Sequence, residues 1–125
     1  MDLGEHYPCL NVRDLEASIE FYLKLDFEIV ADHRKEGWAV LQHNRTALSL
    51  YQGHIERNLI NFRGGNIEEI AQELEARGLA LIKPAQVHPD GSWFAEVADP
   101  DGNRIFFNTS PDEREQYTRT GKLID

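Results

Sequence analysis

Five histidines, one cysteine and one strand-borne glutamate are the side chains of this chain best equipped for chemistry. Cys9 would be a nucleophile only with a base beside it and a lowered pKa. No Cys–His signature accompanies it, so a small apolar wall residue is the expectation. Glu96 precedes a tight turn and would act as a general base if it faced an interior site; the competing reading is a solvent-facing glutamate on a short strand. His43 and His88 fall near strand ends and turns, His54 lies between the two halves of the chain, and His33 stands beside Arg34. A surface or structural role is expected for each of them, and for His6. Asn11, Asn61 and Arg63 offer polar contacts to a ligand, although Asn11 and Asn61 would equally satisfy backbone groups near helix starts.

Aromatic residues form a second set. Tyr7, Trp38, Tyr51, Trp93 and Phe106 all fall on strand-like runs, with Gln42, Ser49, Arg63 and Asn108 as polar neighbours. Side chains that line a cavity in this mixture suit a flat or bulky organic molecule. The alternative is that the rings fill a core.

These residues must be positioned by elements whose pattern is written twice. "NVRDLEASIEFYLKLDF" passes from a short strand into a helix, with Asp14 as N-cap and Leu15, Ile19 and Tyr22 as its apolar stripe. "INFRGGNIEEIAQELEARGL" repeats the plan, with Asn66 and Glu69 at capping-box spacing, Ile67, Ile70, Ala71 and Leu74 as the stripe, and Gly78 as the stop. Three strand-like runs follow each helix: 27–33, 38–43 and 46–52, then 79–87, 92–97 and 104–109. Asn44-Arg45 is short enough for a tight hairpin. In "ADPDGNRIFFN" the Pro and Gly close a turn, after which Arg104, Phe106 and Asn108 share one face of a strand and Ile105 and Phe107 the other.

The reading is therefore α+β: two βαβββ repeats, about residues 5–53 and 58–110, in one domain spanning 1–125, with a tail at 111–125. Each helix covers one face of a curved mixed sheet. The two sheets are expected to face each other across a cleft. The tail is expected either to fray or to lie on a subunit interface, with Tyr117 and Leu123 as anchors.

Composition limits the partners. The chain has 13 basic and 22 acidic side chains, a net charge of −9, which repels a phosphate backbone and argues against nucleic acid. A single cysteine allows no intrachain disulfide, and no apolar run approaches a membrane span. A cytoplasmic location without membrane association is the expectation.

The repeat, the "NVRDLEASIEFYLKLDFEIV" opening and the "DPDGNRIFF" near the end resemble the vicinal oxygen chelate superfamily, over roughly residues 7 to 110. That superfamily includes glyoxalase I, extradiol dioxygenases, methylmalonyl-CoA epimerase, fosfomycin-resistance proteins and bleomycin-resistance proteins. The resemblance implies the paired βαβββ fold and frequent dimerisation. It also implies a divalent metal held by His, Glu or Gln on the first and last strands of each half. Those positions correspond here to Tyr7, Ser49, Leu59 and Phe106.

Phenol, hydroxyl, isobutyl and phenyl groups are not a set that a divalent ion selects. The expectation is thus a small-molecule binding protein without a metal or other cofactor, similar to the bleomycin-resistance branch and acting as a homodimer. Its ligand-binding residues would be Tyr7, Cys9, Asn11, Trp38, Gln42, Ser49, Tyr51, Leu59, Asn61, Arg63, Trp93, Phe106 and Asn108. The alternatives are a metal-dependent lyase, isomerase or dioxygenase, which needs some of His6, His33, His88 and Glu96 to converge, and a non-catalytic partner-binding module.

Overall fold

The computed structural model describes residues 1–120. In chain order its elements are β1 (Gly4–His6), β2 (Cys9–Asn11), α1 (Leu15–Leu23), β3 (Glu28–His33), a 3₁₀ turn (Arg34–Glu36), β4 (Trp38–His43) and β5 (Thr46–Tyr51). Then follow β6 (Ile60–Gly64), α2 (Ile67–Ala76), β7 (Lys83–Val87), β8 (Trp93–Ala98), β9 (Arg104–Thr109) and α3 (Pro111–Thr120). The sheets are β2-β5-β4-β3 and β1-β6-β9-β8-β7, each mixed, with one parallel pair (β2 with β5, β6 with β9). The chain divides into two compact units. One is Tyr7–Leu59; the other is Met1–His6 together with the described residues from Ile60 onward.

In the unit Tyr7–Leu59, α1 starts where the sequence places it. Asp14 has extended backbone and its carboxylate accepts the Ala17 N–H at 3.1 Å. Leu15 and Ile19 then pack on Ala39, Leu41 and Leu50, with Leu10, Val12, Tyr22, Phe27 and Ile29 around them. Strand side chains alternate between faces. Ala39 and Leu41 face the helix, so Trp38, Val40 and Gln42 point the other way. Leu50 faces the helix, so Ser49 and Tyr51 do not.

The other unit is built alike. Asn66 caps α2 by accepting the Glu69 N–H at 3.1 Å. The helix closes through Gly78 N–H to Glu75 C=O and Leu79 N–H to Leu74 C=O, both at 3.0 Å, a Schellman stop. Ile67, Ile70 and Leu74 pack on Trp93, Ala95, Val97 and Phe107, with Phe62 and Ile105 alongside. Asn61, Arg63, Phe94, Glu96, Arg104, Phe106 and Asn108 consequently share the face that α2 does not cover.

Three expectations are corrected here, and the tail gains a described structure up to Thr120. The first strand is split: β1 pairs antiparallel with β6, while β2 pairs with β5. His6 therefore sits opposite Phe62, 5.3 Å between rings, and shares no sheet with Leu10. Gly4 makes the β1–β6 approach possible, because at its φ of +87° a Cβ would stand 2.1 Å from the Arg63 carbonyl oxygen. The run 79–87 becomes strand only from Lys83, since the Schellman stop consumes Leu79 and the chain must turn before it can pair. Pro84 and a register shift between Lys83 and Gln86 further suit β7 to a sheet edge.

Trp93 lies in the α2 core, on the opposite face from Phe94 and Phe106. Finally, the tail is helical up to Thr120. Ser110 and Glu113 cap α3 reciprocally, the Glu113 N–H donating to Ser110 Oγ at 3.1 Å and the Ser110 N–H to Glu113 Oε1 at 3.0 Å. Tyr117 meets the Trp93 ring edge-on at 6.2 Å, so it anchors α3 to its own unit. Leu123 lies outside the described residues.

The turn before β9 is held by one carboxylate. Asp99 Oδ1 accepts the N–H groups of Asp101 (3.0 Å) and Asn103 (2.9 Å), and Oδ2 accepts the Asn103 side-chain amide at 2.8 Å. These bonds, the Asn103 side chain first, hold the Asp99 pKa below its ordinary value. A carboxyl whose folded pKa is depressed contributes stability above its unfolded pKa and loses that contribution as pH falls toward the folded value. Melting temperature should therefore fall on acidification below about pH 4. Asp99→Asn should flatten part of that fall; an unchanged profile would show that the turn carboxylate is not a source of it.

Candidate functional site

In the unit Tyr7–Leu59 the face away from α1 carries a row of rings. The register sets His33 opposite Trp38, Trp38 opposite Tyr51 and Tyr51 opposite Asn11. The His33 imidazole stacks on Trp38 at 4.0 Å and 8°. Tyr51 continues the row, 6.1 Å from Trp38 at 21°, and His54 closes it edge-on at 6.1 Å from Tyr51. The ends are pinned by polar bonds: His33 Nδ1 lies 3.1 Å from Glu36 Oε2, and His54 Nε2 lies 2.6 Å from the Glu36 carbonyl oxygen.

Beside the ladder, Cys9, Ser49 and Tyr51 form a mostly buried group. Burial pushes the Cys9 thiol up to about 12, with a Ser49 hydrogen bond working weakly against it. Burial likewise pushes the Tyr51 phenol up to about 12, assisted by Cys9 and opposed by Ser49. Neither group supplies a nucleophile near neutrality. Cys9 also exchanges backbone hydrogen bonds with Leu59, at 2.9 and 2.8 Å, and its thiol lies 3.7 Å from the Tyr7 carbonyl oxygen.

Tyr7, Cys9, Ser49, Tyr51 and Leu59 are thus drawn together by the backbone of β2 and β5 and the bridge from Leu59. Asn11 is exposed, with its N–H donating to Asn58 Oδ1 at 2.8 Å. Gln42 is exposed on the same face and donates to the Asn44 carbonyl at 3.0 Å. It lines a separate open cavity of about 460 Å³ with Asp26, Glu28, Val30, His43 and Asn44.

On the β1-β6-β9-β8-β7 sheet, the face away from α2 gathers Asn61, Arg63, Phe106 and Asn108. Phe94 and Phe106 stack at 5.6 Å and 21°. Arg63 Nη2 donates to Glu113 Oε1 at 2.6 Å. Glu96, expected either in an interior site or facing solvent, is 4% exposed and takes a charge-assisted bond from Arg104, with Lys83 Nζ at 3.8 Å. Phe94 and Glu96 are the residues of this face that sequence reading did not place there, beside Arg104, which strand parity had already put on one side with Phe106 and Asn108. The signal for them was the five-residue turn 99–103, which fixes Glu96 opposite Phe106 and Ala98 opposite Arg104.

The four positions that the family resemblance gives to metal ligands do not fit a divalent ion. Leu59 and Phe106 carry no donor atom. The Ser49 hydroxyl is engaged with Cys9 and Tyr51. Among the described residues, no three His, Cys, Asp or Glu side chains come together as a metal-holding group. His6, His33 and His88 pair instead with Phe62, with Trp38 and Glu36, and with Asp90. No helix of the described residues is long and apolar enough to cross a membrane.

Comparison with known proteins agrees with this architecture. Residues 5–107 match the family described as the Glyoxalase/Bleomycin resistance protein/Dioxygenase superfamily. Among solved structures, an NAD-dependent benzaldehyde dehydrogenase from Legionella pneumophila superposes with a TM-score of 0.73 at 19% identity, covering 84% of this chain and 98% of that one. A glyoxalase/bleomycin resistance protein/dioxygenase superfamily member from Vibrio splendidus 12B01 gives 0.64 at 18%, covering 85% and 98%. A hypothetical protein from Bacillus halodurans C-125 gives 0.62 at 16%, covering 86% and 94%. At these identities the likeness is one of fold. Comparison with curated proteins gives no sequence match.

The burial of Cys9 has a direct consequence. The folded protein should react with a disulfide reagent at pH 8 at least about a hundredfold more slowly than the urea-unfolded chain, because thiolate and access are both suppressed. Equal rates would place the thiol at the surface.

Proposed function

The chain belongs to the Glyoxalase/Bleomycin resistance protein/Dioxygenase superfamily, and from that premise we propose that it binds a small planar organic molecule without a metal and holds it against the aromatic ladder of the unit Tyr7–Leu59. The observation that carries this reading is the stack of His33 on Trp38 at 4.0 Å and 8°. An exposed imidazole already occupies the place that a flat guest would take. Aromatic rings on a rigid sheet offer large contact area at small conformational cost, and stacking adds about 0.5–1.5 kcal/mol beyond area burial.

The chemistry of the neighbouring groups supports sequestration over bond making. The thiol and phenol nearest the ladder are held neutral, and the positions that would carry a metal in this superfamily offer no ligand shell. The protein would act by lowering the free concentration of its guest. Homodimer formation, expected from the family resemblance, belongs to the same proposal.

Screening planar heteroaromatic compounds by thermal shift tests the reading. A compound present at 100 times its Kd stabilises the folded state by about 2.7 kcal/mol, several degrees in Tm for a chain of this size. Hits should quench Trp38 fluorescence, and Trp38→Leu should weaken them at least about tenfold, the worth of one stacking contact. Stoichiometric metal in protein purified without chelator, or hits indifferent to Trp38→Leu, would overturn the proposal.

A further inference from the structure

Where α2 gives way to β7, the chain leaves apolar side chains uncovered. Leu79, Ala80, Leu81 and Pro84, with Glu75 and Gly78, line an open cavity of about 600 Å³. Leu79 is 47% exposed and Val87 48%. Val87 pairs with Trp93, a residue of the α2 core, so its side chain also points to the α2 side of the sheet. Leu81 and Ala85 pack against the same core. The result is an apolar strip along the outer edge of the sheet, beside the last turn of α2. A contiguous apolar strip left on a folded surface marks a place of interaction.

The rim of the strip is acidic. Within α2 every charged residue is a glutamate: Glu68, Glu69, Glu73 and Glu75. Glu73 is paired with Arg77 at 3.2 Å. Among the described residues, no cation bridges to Glu68 or Glu75. Glu68, Gln72 and Glu75 recur at i, i+4 and i+7, so they lie along one side of the helix, the side that ends at the cavity. The last turn of α2 contains no basic residue, so the partial negative charge of the helix end adds to theirs.

We propose that this strip docks an amphipathic helix of another protein whose polar face is basic. Apolar side chains of that helix fill the cavity against Leu79 and Leu81 and reach Val87, and its Lys or Arg side chains meet Glu68 and Glu75. Charge selects this occupant. A second copy of the chain would bring its own net charge of −9 and, across a two-fold axis, set Glu75 against Glu75. An anionic lipid surface or a phosphate backbone is repelled for the same reason. Pairing geometry selects helix over strand. β7 lies at the sheet edge, but Pro84 offers no N–H and the register shifts between Lys83 and Gln86, so the edge is a poor template for an added strand. A helix matched to the ten residues of α2 needs about three turns. The strip and the ladder around Trp38 belong to different units, so either reading can fail without the other.

The probe is a synthetic amphipathic helix of leucine and lysine, about fourteen residues long. Two controls accompany it: the same helix with glutamate for lysine, and a peptide of the same composition reordered so that no leucine face forms. Each is titrated into isotope-labelled full-length protein and followed through the backbone amides of Leu79, Ala80, Leu81 and Val87. The leucine–lysine helix should shift these amides. It should bind at least about tenfold tighter than the reordered peptide and at least about a hundredfold tighter than the leucine–glutamate helix. Leu79→Ser should weaken it at least about tenfold, the loss of one buried leucine contact. Glu68→Lys combined with Glu75→Lys, both exposed, should do the same and serves where the first variant does not fold. Equal binding of the reordered peptide, shifts centred elsewhere, or full affinity in the variants would each overturn the proposal. So would concentration-dependent shifts of these amides without peptide, which would give the strip to a second copy.

Discussion

Each sheet has a helix on one face only, and the rest of the structure follows from that constraint. A strand alternates its side chains, so an apolar stripe laid against a helix commits every second residue to the opposite side. Ala39, Leu41 and Leu50 are fully buried beneath α1, as Ala95 and Ile67 are in the core with α2. A slip of one residue would place Trp38, Ser49 and Tyr51 against α1 and expose its core. Burying a side chain such as Leu50 is worth roughly 1.5–3 kcal/mol, and a slip would forfeit several at once. The packing beneath the helices therefore also sets which side chains are offered for recognition.

Much of this was legible in the sequence. Asp14 and Asn66 announced the helix starts by type and spacing, and the stripes 15/19/22 and 67/70/71/74 announced the buried faces. The parity of 104–109 was legible for the same reason, since Ile105 and Phe107 sit between polar or functional neighbours. Trp93 shows where reading by residue type fails. It shares a face with Ala95 and Val97, small apolar residues that make sense beneath a helix, while Glu96 alternates with them. Aromatic content suggested a ligand contact; alternation determines a core position. The helix α3 was also written in the chain, as Ser110 with Pro111 at the first helical position and Glu113 three residues on. High charge in that segment obscured the capping box. The β1–β6 pairing was not legible, because three residues joined by backbone bonds to partners 56 to 60 positions away leave no periodicity to detect.

The two uncovered faces differ in what they ask for. Around Trp38 the polar groups are satisfied: His54 bonds to the Glu36 carbonyl, His33 is paired with Glu36, and Ser49 links Cys9 and Tyr51. Among the described residues, no buried side-chain polar atom there lacks a hydrogen-bond partner, so what that face offers is shape and ring contact. On the five-stranded sheet, Glu96 and Arg104 satisfy one another, but the two carboxamide oxygens nearby, of Asn61 and Asn108, are unanswered. That face carries a chemical demand as well as a surface.

The demand is informative because replacing it would have been easy. Leucine keeps the branching of asparagine and would leave no acceptor to satisfy, at the cost of accommodating a larger side chain. Phe106, at a position that the family resemblance implies for a metal ligand, stands directly opposite Asn61. The carboxylate nearest that ring is Glu96, held by Arg104 and approached by Lys83. A buried carboxylate turned toward two cations is committed to structure, whereas an unpaired amide oxygen is not. The face thus offers neutral amide oxygen beside aromatic carbon, with the Glu96 carboxylate already matched by Arg104.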